Sequence, residues 1–557
     1  MFTMDSLVFL AIAVAILFAA VQRGGDGART MSEKTHRAIC GAAIAAGVLV
    51  RLARLTSLPA GISAEEALVG VQAKALWQTG GFLFGQGLTT QLSQWAGETT
   101  GPLLAVLTAP FVGLFGMSKL TVRLPLALLS CAAMPAAYGL GEALSGRRAA
   151  RWMLLIAALC PIFVLEARMT CGSCAALYLL PIALCLIARG VTKPAALYPG
   201  MIVLALTAYA QDMYFFIAPA AILACAIIAL IFSRRKRHAA ISGAIGLLLC
   251  VPAMLTAFVN LTGAEGMTLL GLIRIPRLEG FEKAFMAENR SVGDKLWAVL
   301  IGGVFQVLRH ENIHQAMYTP DGMLALFMFS LPLMALGALA LFARWTDGRR
   351  AAREKAAARA MAAATCAVTL AALVMFGSVG TLNTNGTTGL FDHSALILFD
   401  AVLMTAGLCT IERKNLQCAA AMVALMAVNF AWLAVQLFGG SYQANANVYF
   451  PGFEQMAARA AEIQAETGEK INVTGNIYPH IQPSDGAEMM FLYATDADMR
   501  TAEAERGTRY ETIYVSDDMQ PEADQIYLAR ASEISNWDLE GFDYEESEGY
   551  ALIYPAR

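Results

Sequence analysis

Residues 38 to 70 read AICGAAIAAGVLVRLARLTSLPAGISAEEALVG. The first half, Ala38 to Leu55, is an apolar run whose first charge is Arg51. A helix needs about 20 mostly apolar residues to cross a bilayer, and this run approaches that length. Pro59 and Gly61 then interrupt the helix, and amphipathic sequence resumes with two adjacent carboxylates, Glu65 and Glu66. A membrane helix that ends in arginines and turns at once into a carboxylate-bearing surface loop is the unit from which the remainder of the chain is read.

Eleven further apolar runs flank this unit. They lie at Leu7 to Val21, Leu120 to Leu144, Trp152 to Leu165, Gly172 to Ala188, Gly200 to Asp212, Tyr214 to Phe232 and Ala239 to Asn260. The last four are Met323 to Ala343, Ala362 to Val379, Ala395 to Ile411 and Cys418 to Phe438. The whole chain of 557 residues is 57% hydrophobic and 15% charged, with a mean hydropathy of +0.55. Soluble globular chains carry about 25% charged residues, so that class is excluded. The expected fold is mainly α, a polytopic membrane protein with about 12 transmembrane helices.

Lys and Arg collect in short cytoplasmic loops. Segments 22–37, 145–151, 189–194, 233–238, 344–359 and 412–414 hold 21 of the 33 basic residues that precede Gly439. All six fall on one side of a 12-helix count, which assigns them to the cytoplasm. The opposite, extracytoplasmic side receives loops 56–119 and 261–322, the shorter 380–394 and the C-terminal region. Any chemistry is expected there. Residues 1–37 read as an extra N-terminal helix and cytoplasmic loop, because no basic region precedes the first run and no small-residue cleavage site follows it. Residues 38–438 form the membrane domain.

The net charge of −3 conceals a division. Residues 439–557 carry 22 acidic and 7 basic groups, and the preceding chain has an excess of 12 positive charges. Most of those cations mark cytoplasmic loops, so neither body is a nucleic-acid footprint. The tail shows helical spacing at Phe453 to Thr467. β-rich runs follow at Ile471 to Ile477, Thr512 to Ser516, Gln525 to Leu528 and Tyr550 to Tyr554, which predicts a small α/β domain on the extracytoplasmic side. It contains no cysteine, nucleotide-binding glycine fingerprint or nucleophile motif, and its expected role is a cap or docking surface. Cys171 and Cys174 form a lone C-x-x-C without the second pair a zinc site needs, and read as small residues at a close helix contact. His310 and His314 lack a third ligand and read as polar surface; no metal site and no cofactor are expected, and a metal requirement stays open. Asp400, about five residues into an apolar run, is either a functional group or a hydrogen-bonded helix contact.

The two carboxylates have two readings on their own. Glu is favoured at a helix N-terminus by the dipole, and a carboxylate near a bilayer surface also serves as a general base. Their surroundings add information. The series Pro59-x-Gly61-x-x-x-Glu65-Glu66-Ala67, Gly70, Gly80-Gly81, Gly85, Trp95, Gly101-Pro102, Pro110-Phe111, Gly116-x-Ser118-x-x-Thr121-x-Arg123-Leu124-Pro125 resembles the N-terminal part of the GT-C superfamily. These are the polyprenyl-phosphate-sugar-dependent glycosyltransferases, including protein O-mannosyltransferases and lipid A aminoarabinose transferases. The likeness continues through Glu166-Ala167-Arg168, Leu206 to Pro219, Asn312, Tyr318, Asp321-Gly322 and Leu382-Asn383-x-Asn385.

The resemblance implies an integral-membrane glycosyltransferase that moves a sugar from a polyprenyl-phosphate donor to an envelope glycan, lipid or protein acceptor outside the plasma membrane. The first acid of the pair corresponds to the family's proposed base, so Glu65 is the base candidate and Glu66 its neighbour. Cations must hold the departing phosphate. Arg123 and Arg168 lead, followed by Arg274, Arg277 and Lys74, with Arg51, Arg54 and Arg309 also on the exterior side; Tyr209, Tyr214, Asn383 and Asn385 complete the expected binding set. Three positions depart from the family pattern. Glu65 stands where the family has Asp, no Asp follows Arg168 in Thr170 to Cys174, and Gly386 stands where close relatives have Arg. Arg274, Arg277 and His393 are candidates to compensate. Two other classes therefore stay open at this point, a transporter or flippase of a lipid-linked substrate and an inactive relative that binds lipid-linked sugar.

Overall fold

In the computed structural model the described residues are 4–22, 31–83, 85–93, 99–170, 174–210, 214–277, 293, 324, 326–346, 353–376, 394–439, 450–476, 485–516 and 518–556. The membrane body opens with α1 (Met4–Gln22) and α2 (Glu33–Leu52), followed by α3 (Ala64–Thr79), α4 (Leu103–Phe115), α5 (Lys119–Ser145), α6 (Arg147–Leu159) and α7 (Pro161–Leu165). It continues with α8 (Cys174–Gly190), α9 (Leu197–Leu206), α10 (Tyr214–Phe232), α11 (Lys236–Leu249) and α12 (Val251–Thr262). Its last helices are α13 (Ser330–Thr346), α14 (Arg353–Phe376), α15 (Ser394–Lys414) and α16 (Leu416–Phe438).

A helix coincides with every predicted apolar run. Among the described residues four helices, α2, α5, α10 and α16, are long and apolar enough to cross a membrane. The number is six if two bent pairs each count as one span, α6 with Pro161–Arg168 at 59° and α11 with α12 at 49°. Each break falls where a proline opens the second helix, Pro161 or Pro252, as expected of a residue that lacks an amide donor. α8, α9 and α13 are shorter apolar helices. Small residues permit the close crossings. A Cβ on Gly337 of α13 would lie 1.9 Å from the Leu403 carbonyl oxygen of α15, and one on Gly407 would lie 2.3 Å from that of Leu333, so the two backbones touch as membrane helices often do.

Four of the six basic segments meet at one end of the bundle. Glu33 pairs with Arg147, and buried Glu412 accepts from Arg151 and, at 2.7 Å, from the Trp152 indole. Arg151 also contacts His36 Nδ1 at 3.1 Å, and Arg359 Nε donates to the Leu144 carbonyl at 3.0 Å. The carboxylates hold cations that would otherwise repel one another and tie α2, α6 and α15 together, while Arg359 joins α14 to the end of α5.

At the opposite end lie α3, α4 and three small strands of the first loop, β1 (Leu88–Thr89), β2 (Leu92–Ser93) and β3 (Thr99–Thr100). β4 (Met267–Leu269) and β5 (Ile273–Ile275) follow α12 and join β1 in a sheet of order β1-β5-β4. The C-terminal residues form α17 (Pro451–Thr467), β6 (Lys470–Thr474), α18 (Asp485–Ala494), α19 (Ala502–Glu505), β7 (Tyr510–Ile513), β8 (Gln525–Arg530), β9 (Phe542–Ser547) and β10 (Tyr550–Pro555). The sheet order is β7-β6-β8-β10-β9, with β6 parallel to both neighbours and β10 antiparallel to both of its own. β9 escapes the sequence reading because Phe-Asp-Tyr-Glu-Glu-Ser carries its charges onto an edge, where charged side chains keep a strand from pairing further.

One apolar core unites the C-terminal unit with the first loop. Ala67, Leu68 and Val71 of α3 and Val112 of α4 are buried in the same cluster as Phe453, Ile471, Met490 and Leu552. Polar links surround it. Lys74 pairs with Asp496 at 2.6 Å and Lys119 with Glu454 at 2.7 Å, while the Gly85 amide donates to Glu503 and the Met499 amide to Gln78.

Candidate functional site

The site grows from the start of α3. Ser63 caps it, its hydroxyl accepting from the Glu66 amide at 3.2 Å while Glu66 Oε2 accepts from the Ser63 amide at 3.4 Å. This is the reciprocal capping box of the S-x-x-E signature, legible as Ser63-x-x-Glu66. Glu66 therefore serves the helix terminus, as the bland reading of the pair proposes. It does more than that. The Arg123 guanidinium meets it side-on, Nε to Oε1 at 2.8 Å and Nη2 to Oε2 at 2.7 Å, and each residue is 1% exposed.

The remaining N–H groups of Arg123 turn to the chain that precedes α3, Nη1 to the carbonyls of Leu55 and Pro59 at 3.0 Å each and Nη2 to that of Gly61 at 2.9 Å. All five donors are thus used within the protein. A buried charge pair is tolerated when the fork geometry is good and the spare donors are satisfied, and both conditions hold. The Thr170 amide adds a bond to Glu66 Oε1 at 3.3 Å, drawing the segment after Arg168 against the pair.

Arg168 behaves similarly. Nη1 donates to the carbonyls of Val50, Arg51 and Ala53, and Nη2 to those of Arg54 and Leu58. A cation on the terminal carbonyls of α2 is placed where the helix dipole favours it. Arg51, fully buried, crosses to the end of α6 and donates to the carbonyls of Ala157, Ala158 and Phe163. The two leading phosphate candidates therefore lie buried with donors spent inside the protein, Arg123 on Glu66 and three carbonyls and Arg168 on five carbonyls. Lys74 reaches the backbone and side chain of Asp496. Tyr209 donates to the Leu249 carbonyl at 2.6 Å, and Tyr214 is fully buried.

Glu65 is the carboxylate of the pair that reaches the surface. It follows Ala64 in the first turn of α3 and is partly exposed where Glu66 is sealed. Consecutive helical residues point about 100° apart, so the two acids leave one terminus in different directions, Glu66 sealed and Glu65 with part of its surface accessible. Glu65 also lies near enough to buried Glu166 for their charges to interact, and the sulfur of Cys174 is 2.7 Å from Glu166 Oε2. Cys174, read from sequence as a small packing residue, is disulfide-bonded. On the far side of α3, Tyr493 of α18 packs on Gly70. Burial lifts its phenol well above the usual tyrosine range, Glu454 and Glu66 push the same way and Arg123 opposes them, so the ring stays neutral.

Among the described cation candidates, Arg54, Arg274 and Arg277 keep exposed side chains. Arg54 sits in the loop that Arg123 and Arg168 brace, with a left-handed φ of 51°. Arg274 on β5 donates to the Gly85 carbonyl at 3.3 Å. Asp400 is partly buried on α15. Asn383, Asn385, His393, Arg309, His310 and His314 lie outside the described residues. Among the described residues no three His, Cys, Asp or Glu side chains are grouped to hold a metal. Ser63, Thr170 and Glu166 belong to the site although sequence reasoning did not single them out as functional. Ser63 left a local signal in its spacing to Glu66, and Glu166 stands in the Glu166-Ala167-Arg168 segment of the resemblance, while Thr170 left none.

Fold and site together define a polytopic helical protein with an arginine-braced carboxylate pair where a membrane helix passes into a surface loop. No family model and no curated protein matches the chain. Among solved structures, ArnT from Cupriavidus metallidurans bound to undecaprenyl phosphate aligns with a TM-score of 0.47 and 12% identity, covering 94% of this chain and 98% of that one. Its apo form gives 0.45 and 13% over the same shares. The archaeal oligosaccharyltransferase AglB from Archaeoglobus fulgidus, in complex with an inhibitory peptide and a dolichol-phosphate, gives 0.45 and 12%, covering 83% of this chain and 63% of that one.

Proposed function

We propose that this protein is a GT-C-type glycosyltransferase of the plasma membrane, with about 12 spans. It transfers a hexosyl or pentosyl group from a polyprenyl-phosphate donor to an acceptor on the extracytoplasmic face. The observation that carries the reading is the division of labour within one carboxylate pair. Glu66 is locked by Ser63, Arg123 and Thr170, while Glu65, one residue earlier on the same rigid terminus, keeps accessible surface. A general base must reach solvent-borne substrate and must not wander. A braced helix end with a partly accessible carboxylate meets both needs.

In the proposed reaction Glu65 accepts the proton of an acceptor hydroxyl or amine as that atom bonds to the anomeric carbon. The bond from the anomeric carbon to the phosphate oxygen breaks, and the polyprenyl phosphate leaves with the electron pair. Its charge is met by cations with exposed side chains, Arg54, Arg274 and Arg277, because Arg123, Arg168 and Lys74 are committed elsewhere. Arg123 and Arg168 then act as positioning residues for the loop between α2 and α3. The acidic C-terminal unit serves as a cap that holds α3 from outside.

The activity is tested by mass spectrometry of envelope glycans and lipids from cells with and without the protein. The expected outcome is loss of one defined glycosyl increment, restored by the wild-type chain. An unchanged glycan profile in the deletion strain would count against a transferase.

A further inference from the structure

β4 and β5 form a hairpin that leaves α12 five residues after its end, with Met267, Thr268 and Leu269 opposite Ile275, Arg274 and Ile273. Its base is fixed. Ile275 is buried, and Asn260 Nδ2 donates to the Pro276 carbonyl at 3.0 Å and to that of Thr256 at 2.8 Å. The Thr90 amide donates to the Arg274 carbonyl, and β1 pairs with β5. The tip is the opposite in character. Leu270 and Gly271 both adopt left-handed backbone, at φ 54° and 70°, and the turn closes through the Leu272 amide and the Leu269 carbonyl at 3.0 Å.

A leucine in that conformation is uncommon. Here it presents an apolar side chain at the apex, with Leu270 86% exposed and Leu272 68% exposed. A rigid hairpin that holds large apolar groups away from its own protein marks a contact surface. Bulk water gives no return for that arrangement, whereas a bilayer does.

We propose that the β4–β5 tip inserts into the membrane leaflet at the end of the bundle where α12 terminates, with Leu270 and Leu272 among the acyl chains. Continuity with α12 and charge both single out this occupant. Arg274 is exposed toward the base, about 10 Å from the apex at the usual strand rise, and exposed Arg277 lies further along the same chain. Interfacial segments bury their apolar face about 5–10 Å deep, so an inserted tip sets the Arg274 guanidinium level with the lipid phosphates. That level is also where the donor phosphate would lie. The proposal rests on the membrane reading of the helices and does not need the transferase reading.

The test uses the full chain in phosphatidylcholine and phosphatidylglycerol vesicles, carrying a nitroxide on Leu270→Cys, with the labelled wild-type chain as background for its native cysteines. Power-saturation measurements compare collisions with oxygen, which concentrates in lipid, against a water-soluble nickel chelate. The proposal expects oxygen to dominate, and expects Thr268→Cys at the hairpin flank to be less lipid-exposed than the apex. Dominance of the nickel chelate at position 270 would place the tip in water and overturn the proposal. Protection from both reagents would mean a protein partner, such as a second copy of the chain, and would overturn it equally. Retained glycosyl transfer in either outcome leaves the transferase reading unaffected.

Discussion

Glu65 and Glu66 are neighbours with opposite surroundings, and the difference comes from one arginine. Removing one partner of a buried pair leaves the other charge without compensation, which costs about 3–5 kcal/mol. Arg123→Ala is expected to destabilise the protein by that order, measured as a fall in unfolding temperature in detergent. Glu66→Gln keeps the shape of the capping box and loses the charge, leaving the guanidinium buried without its carboxylate; it is expected to destabilise comparably rather than to affect chemistry alone. The capping half of this arrangement is readable from Ser63-x-x-Glu66, three residues apart. The ion pair is not, because Arg123 lies 57 residues away, and local spacing cannot say which of eight exterior cations turns inward. For the same reason Arg123 and Arg168 read as phosphate ligands in sequence, where an arginine at a helix end looks alike whether it faces lipid or backbone.

The α3 helix packs against α5 and α18, and its one glycine records how closely. A Cβ at Gly70 would lie 2.9 Å from a methyl of Val122 and 3.3 Å from the Tyr493 ring. Gly70→Val is expected to cost about 1–3 kcal/mol by overpacking and to loosen α18 from α3, seen as faster hydrogen exchange in both. At Gly101 a Cβ would lie 2.0 Å from the Tyr209 carbonyl oxygen, backbone that cannot step aside. Gly101→Ala should therefore displace the first loop and reduce stability more than a typical surface change. Lys74→Ala, by contrast, breaks a pair whose Asp496 is 68% exposed, worth about 1 kcal/mol or less. Helices were the most legible elements, because each apolar run coincides with helix, although the runs at Trp152 to Leu165 and Ala239 to Asn260 each break into two at a proline. The docking of α18 on α3 was not legible, since Gly70 and Tyr493 carry no mark of their contact.

At the scale of the molecule, the charge division in the sequence corresponds to a physical junction. Basic segments gather at one end, and the acidic C-terminal unit shares a core with α3 and α4 at the other. A protease site inserted after Gly439 is expected to leave the two fragments associated through gel filtration in mild detergent, because parting them would expose that core. Separation of the fragments would contradict the shared-core account. The central claim is narrower, that Glu65 takes the acceptor proton while Glu66 and Arg123 hold it in place. It is tested most directly by the turnover of wild type, Glu65→Gln and Glu65→Asp with a polyprenyl-phosphate sugar and an acceptor in proteoliposomes. The account predicts a loss of about 100-fold or more in Glu65→Gln, with unfolding temperature and carrier binding retained and partial activity in Glu65→Asp. Wild-type turnover in Glu65→Gln would contradict it.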